Sequence, residues 1–134
     1  MAIILDTDVI IRGERATFDL ESWLASQPGE QFQIAAVTAA ELWHGIERAG
    51  AAYKAERELY LRTILSSIRI LPYTEITALE HARLWAELET AGNMIGYYDL
   101  IVAATAVENG SAVATFNERH FRQVHGLTVI RPKI

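Results

Sequence analysis

Short apolar runs alternate along the chain with longer stretches of helical period, and the first of these runs, Ile3-Ile4-Leu5, ends directly on Asp6. Continuous apolar runs suit strands covered on both faces, and their interleaving with amphipathic segments marks βαβ units around a parallel sheet. The pattern predicts strands at 3–5, 33–36, 68–71, 112–115 and 127–130. It predicts helices over 18–26, 39–49, 52–67, 76–91, 97–107 and 118–123, with a turn at Gln27-Pro28-Gly29 and Gly50 as the break between the second and third helices. Pro72 stops the third strand, and Gly92-Asn93 and Asn109-Gly110 close the two long helices. In the helix over 76–91, Ile76, Leu79, Leu84, Trp85 and Leu88 recur near the helical period and are expected to form its apolar face. The segment 100–107 is apolar nearly all round, which places it inside the domain or against another copy.

Composition narrows the class. At 134 residues the chain is expected to be one domain, 1–134, able to bury a core without disulfides or structural metals. Its 51% hydrophobic and 22% charged residues exclude a disordered chain. The absence of cysteine removes a disulfide framework and a thiolate zinc site, and fits a reducing compartment. No segment approaches the roughly 20 apolar residues of a membrane span, and the N-terminal run is short for a signal-peptide core and lacks a preceding basic residue. A cytoplasmic protein with no membrane partner is expected. The net charge of -5 argues against a globally basic nucleic-acid surface, but leaves room for a nucleic acid held by a metal and a local basic rim.

Candidate chemistry lies where strands end, because the carboxyl ends of parallel strands form the crevice that binds ligands. Asp6 follows the first strand, Glu41 follows the apolar run 32–37, and Asp99 stands just ahead of 100–107. Each acid also has a structural explanation. Asp6 suits the cap of a helix entering at Val9. Thr38-Ala39-Ala40-Glu41 has the spacing of a capping box, as does Thr77-Ala78-Leu79-Glu80, where the structural reading suffices. Asp99 in a first helical turn is favoured by the macrodipole. These explanations do not account for all three acids falling along one sheet edge. Two carboxylates about 4 Å apart at an effective dielectric near 20 repel by roughly 4 kcal/mol, so such a cluster takes up protons or holds a cation. Oxygen ligands with no histidine beside them favour Mg²⁺ or Mn²⁺ over zinc. Metal-assisted phosphodiester hydrolysis is the chemistry that fits.

Four motifs in order carry a resemblance: Leu5-Asp6-Thr7-Asp8-Val9-Ile10-Ile11, Thr38-Ala39-Ala40-Glu41-Leu42-Trp43-His44-Gly45, the run from Ile95 through Asp99 to Ala106, and Ala114-Thr115-Phe116-Asn117-Glu118-Arg119-His120-Phe121. Over nearly its whole length the chain resembles PIN-domain ribonucleases, and more closely the VapC-type toxins of bacterial toxin-antitoxin pairs. The resemblance implies an α/β, PIN-like three-layer domain with a central parallel β-sheet flanked by helices, and a Mg²⁺-dependent endoribonuclease with Mn²⁺ as a substitute. It implies Asp6, Glu41 and Asp99 as metal ligands. Asn117 stands at a fourth site position that is an acid in many relatives, with Glu118 as an alternative. It further implies an RNA substrate, a homodimer and a cognate antitoxin that inserts a peptide segment into the site.

Other residues are placed around this set. Asp8 is a neighbour of the ligands, and Thr7 and Thr115 have hydroxyls suited to holding a carboxylate or the attacking water. Arg12, Arg15, Arg119, His120, Arg122 and His125 are either a basic rim for phosphates or ordinary surface. Trp43, beside the Leu42, Ile46 and Ala49 stripe, belongs to the core or to the rim of a groove for a partner helix. Two other readings stay open. A haloacid dehalogenase-type phosphatase would use Asp6 as nucleophile and Asp8 as acid, but Lys54 and Lys133 are poorly placed for its lysine and only Asp99 is available as a late acid. A catalytically silent PIN-like module would only capture RNA or a partner.

Overall fold

The computed structural model describes residues 2–133. Its strands are β1 (Ala2–Leu5), β2 (Gln31–Ala35), β3 (Arg69–Leu71), β4 (Ala112–Ala114) and β5 (Val129–Ile130), and its helices are α1 (Thr7–Glu14), α2 (Leu20–Ala25), α3 (Ala36–Glu47), α4 (Ala51–Leu65), α5 (Glu75–Ala91), α6 (Tyr97–Asn109) and α7 (Glu118–Phe121). The strands form one sheet in the order β3-β2-β1-β4-β5, and every pairing is parallel. β1 lies at the centre, with Ile3 opposite Phe32 of β2 and Ala112 of β4. Because side chains alternate across a strand, Ile3 and Leu5 enter one core and Ile4 the other. The first core is built with Val9, Trp23, Leu42 and Leu61 from α1 to α4, and the second with Leu84, Leu100, Ala103 and Phe121 from α5 to α7. The expected three-layer α/β architecture is the one observed.

The burial of 100–107 is also as expected: Leu100, Val102, Ala103, Ala104, Thr105 and Ala106 are buried within the chain itself. α5 and α6 end on Gly92 and Gly110 in the left-handed region, φ 72° and 65°, where a side chain would be strained. Among the described residues no helix is long and apolar enough to cross a membrane.

Several local expectations are corrected. The segment 7–14 is a helix that the apolar pattern missed; it enters at Thr7 rather than Val9, with Asp6 as its N-cap. α3 starts at Ala36, so Thr38 lies inside the helix, fully buried, and the box with Glu41 does not form. The capping box of α5 is shifted to Thr74 and Thr77, and Thr77 also donates to Glu108 Oε2 of α6 at 2.6 Å. The face of α5 that packs inward carries Thr77, His81, Leu84 and Leu88, while Ile76, Leu79 and Trp85 are exposed. Trp43 packs on the first core with the Arg62 guanidinium 4.8 Å over its ring.

Candidate active site

The chain leaves β1 at Leu5 and turns at once into α1, which fixes Asp6 at the carboxyl edge of the sheet. The Asp6 backbone N–H extends the ladder to Ala114 O at 2.9 Å, which anchors the residue to the end of β4. Its Oδ1 accepts the Thr7 N–H at 2.9 Å and its Oδ2 accepts the Thr115 hydroxyl at 2.8 Å. Thr115, buried just past β4, in turn accepts the Asn117 backbone N–H at 2.9 Å. Asp8, one residue into α1 beyond Thr7, accepts the Phe116 N–H on Oδ2 at 3.1 Å, while its buried Oδ1 has no partner.

Two further acids reach the same edge. The Thr7 hydroxyl donates to Glu41 Oε1 at 2.8 Å, tying α3 to α1 across a cleft of about 540 Å³ lined by Thr7, Ile11, Val37, Ala40, Glu41, His44 and Tyr98. Asp99 sits in the first turn of α6, where its Oδ2 lies 2.9 Å from His120 Nδ1. Gly96 leaves room for it, since a Cβ there would stand 3.3 Å from Asp99 Oδ2. The side-chain amide of Asn117 also meets His120, with Nδ2 2.9 Å from Nδ1. Glu118, by contrast, pairs with Arg122 and Arg131.

The electrostatics follow from this crowding. Burial pushes the Asp6 carboxyl up to about 7, with the Asp8 charge and more weakly that of Asp99 acting in the same direction against the Thr115 and Thr7 hydrogen bonds. Burial also raises Asp8, again with a contribution from Asp99 and against the Phe116 N–H and Arg12. Among the described residues no three His, Asp or Glu side chains form a ready-made chelating group. The donor set nevertheless suits a hard cation: Asp6, Asp8 and Asp99 act on one another through their charges, all donors are oxygens, and Asp8 Oδ1 is a buried acceptor lacking any donor. Thr7, Thr115 and His120 supply hydrogen-bond contacts to Glu41, Asp6 and Asp99 respectively.

Residues 3–127 match the PIN domain. The chain belongs to the PIN-domain family. This PIN domain is similar to the ribonuclease VapC1 of Rickettsia felis, 30% identical over 131 residues that cover 97% of this chain and 96% of that protein. The structure of VapBC2 from Rickettsia felis bound to a promoter DNA fragment shares the fold, with TM-score 0.91 at 22% identity over 99% of this chain and 100% of that one. VapBC-5 from Mycobacterium tuberculosis, a member of the VapBC family of toxin-antitoxin systems, aligns with TM-score 0.77 at 29% identity, covering 97% of this chain and 98% of that one.

Not every candidate residue reaches the site of this PIN domain. His125 lines a hollow with Val107, Gly110 and Ala112, at the amino end of β4 and so on the far side from Asp6. Arg12 lies 4.2 Å over the Phe116 ring and acts on Asp8, whereas Arg122 is engaged with Glu118. Lys54, considered as a phosphatase lysine, pairs with Glu47 at 3.5 Å. His120, expected in a basic rim or on ordinary surface, stands on Asp99. Asp8, expected as a neighbour of the ligands, is half-buried two residues after the N-cap acid Asp6 and is held by the Phe116 N–H.

Proposed function

We propose that residues 1–134 form one PIN domain that acts in the cytoplasm as a metal-dependent endoribonuclease, the toxin of a toxin-antitoxin pair. The observation that carries this reading is the buried Asp6, held at about 7 by burial and by Asp8 and Asp99, at the carboxyl edge of a parallel sheet. Asp6, Glu41 and Asp99 would hold the cation, with Mg²⁺ favoured and Mn²⁺ as the alternative, and Asp8 offers a further oxygen. When bound, such an ion lowers the pKa of water and stabilises charge developing on a phosphoryl group. The chain's own contribution is positional: Thr115 fixes Asp6, Thr7 fixes Glu41, and Asn117 sets Thr115 through its backbone N–H. Likeness to the ribonuclease VapC1 supports RNA as the substrate, and likeness to VapBC-5 supports a cognate antitoxin. The exposed Tyr73, Ile76, Leu79, Trp85 and Tyr97 support a homodimer.

The test is cleavage of total bacterial RNA by the purified, partner-free chain. Discrete fragments in Mg²⁺ or Mn²⁺, lost in EDTA and in Asp99→Asn, are expected. Equal cleavage in EDTA overturns the metal chemistry, and no cleavage under any of these conditions favours a silent RNA- or partner-binding module.

A further inference from the structure

We propose that His120 is a positioning residue that presents the Asp99 carboxylate to the cation, an inference that rests on the reading of the acids above. A carboxylate can only accept, so the 2.9 Å approach of His120 Nδ1 to Asp99 Oδ2 places a proton on Nδ1. The second neighbour of that nitrogen is the Asn117 amide at 2.9 Å. The two ends of an amide exchange by a half-turn, so Asn117 meets an Nδ1–H through its oxygen, and one N–H is shared between carboxylate and amide. The other tautomer satisfies Asn117 alone and sets the Nδ1 lone pair against a carboxylate oxygen. A hydrogen bond to an ionised acceptor is about twice as strong as a neutral one, which selects the Nδ1–H form.

The consequence is geometric. With Oδ2 occupied by His120 and Gly96 packed close beside it, Asp99 keeps Oδ1 for a cation. Asn117 joins this network to the other one, since its backbone N–H holds the Thr115 hydroxyl that holds Asp6. One short segment, from Thr115 to His120, thus orients acids that stand 93 residues apart in the chain, at positions 6 and 99. Partners of metal ligands of this kind are known to tune affinity without touching the ion.

Three substitutions separate this role from a purely structural one. His120→Asn keeps a donor near the place of Nδ1, His120→Gln moves it toward the place of Nε2, and His120→Ala removes it. Titration calorimetry with Mn²⁺ is expected to show affinity weakened about 10- to 100-fold in the alanine and glutamine variants and largely kept in asparagine. Nitrogen NMR of the wild-type ring is expected to show the Nδ1–H tautomer. Thermal melting of each variant controls for folding. Wild-type affinity in His120→Ala, or an Nε2–H tautomer, overturns the proposal, and so does equal loss in His120→Asn and His120→Ala, which would make the imidazole itself a ligand. A wild type that binds no Mn²⁺ overturns the metal reading as well, whereas binding that ignores His120 overturns the positioning role alone.

Discussion

Asp6 is the residue at which folding and function conflict. It exposes 7% of its surface, beside Asp8, at a position where water would otherwise solvate its charge. Its carboxyl lies at about 7 in the fold against 3.8 when unperturbed, so between those values the folded chain holds a proton that the unfolded chain has lost. Stability contributed by this group therefore falls as pH rises from about 4 to about 7 and levels off above. At about 1.4 kcal/mol per pKa unit the full effect is roughly 4 kcal/mol. Asp6→Asn removes that penalty and forfeits the best geometry of the Thr115 hydrogen bond, a loss of about 1 kcal/mol. In EDTA at pH 8 the variant is expected to melt above the wild type, and at pH 4 no higher. A variant that melts lower at both pH values would show that the acid is not strained.

At the scale of elements, α5 shows what periodicity alone conveys. Its length and its stop at Gly92 were legible because propensity and cap are local. Of its inward face, Leu84 and Leu88 were legible, whereas Thr77 and His81 were not: both are buried against partners while Ile76, Leu79 and Trp85 stay exposed. Thr77 bonds Glu108, and His81 Nδ1 lies 2.7 Å from the Tyr73 hydroxyl and stacks on Trp85. The apolar residues displaced outward are what the proposed homodimer would bury. Light scattering is expected to give twice 15.0 kDa for the wild type and 15.0 kDa for the double substitution Ile76→Glu and Leu79→Glu, with RNA-independent folding retained. A wild type that is already monomeric, or a double variant that remains dimeric, would reject that face.

At the scale of the whole molecule, the site is assembled from the ends of strands and starts of helices that the order β3-β2-β1-β4-β5 brings to one edge. That Asp6, Glu41 and Asp99 fall near one edge of the sheet was legible because each stands near an apolar run that fixes its address; their role as ligands is the proposal. That Thr7 and Thr115 hold carboxylates was legible too, but which acid each holds was not, nor was the contact of His120 with Asp99, since Thr7 reaches Glu41 across 34 residues, His120 reaches Asp99 across 21, and Thr115 reaches Asp6 across 109. Spacing within a motif carries no signal of such pairings; only the packed sheet creates them. The same limit explains why the sequence leaves His120 and His125 together as either a basic rim or ordinary surface, although the fold sends them to different ends of β4.

Titration calorimetry of Mn²⁺ into metal-free protein near neutral pH, repeated in buffers of different ionisation enthalpy, asks whether these acids hold a cation. Saturable binding accompanied by proton release is expected, because Asp6 must give up its proton to become a ligand, with binding weakened in Asp6→Asn. Absence of saturable binding, or binding that neither releases protons nor responds to Asp6→Asn, would contradict a cation site at these acids.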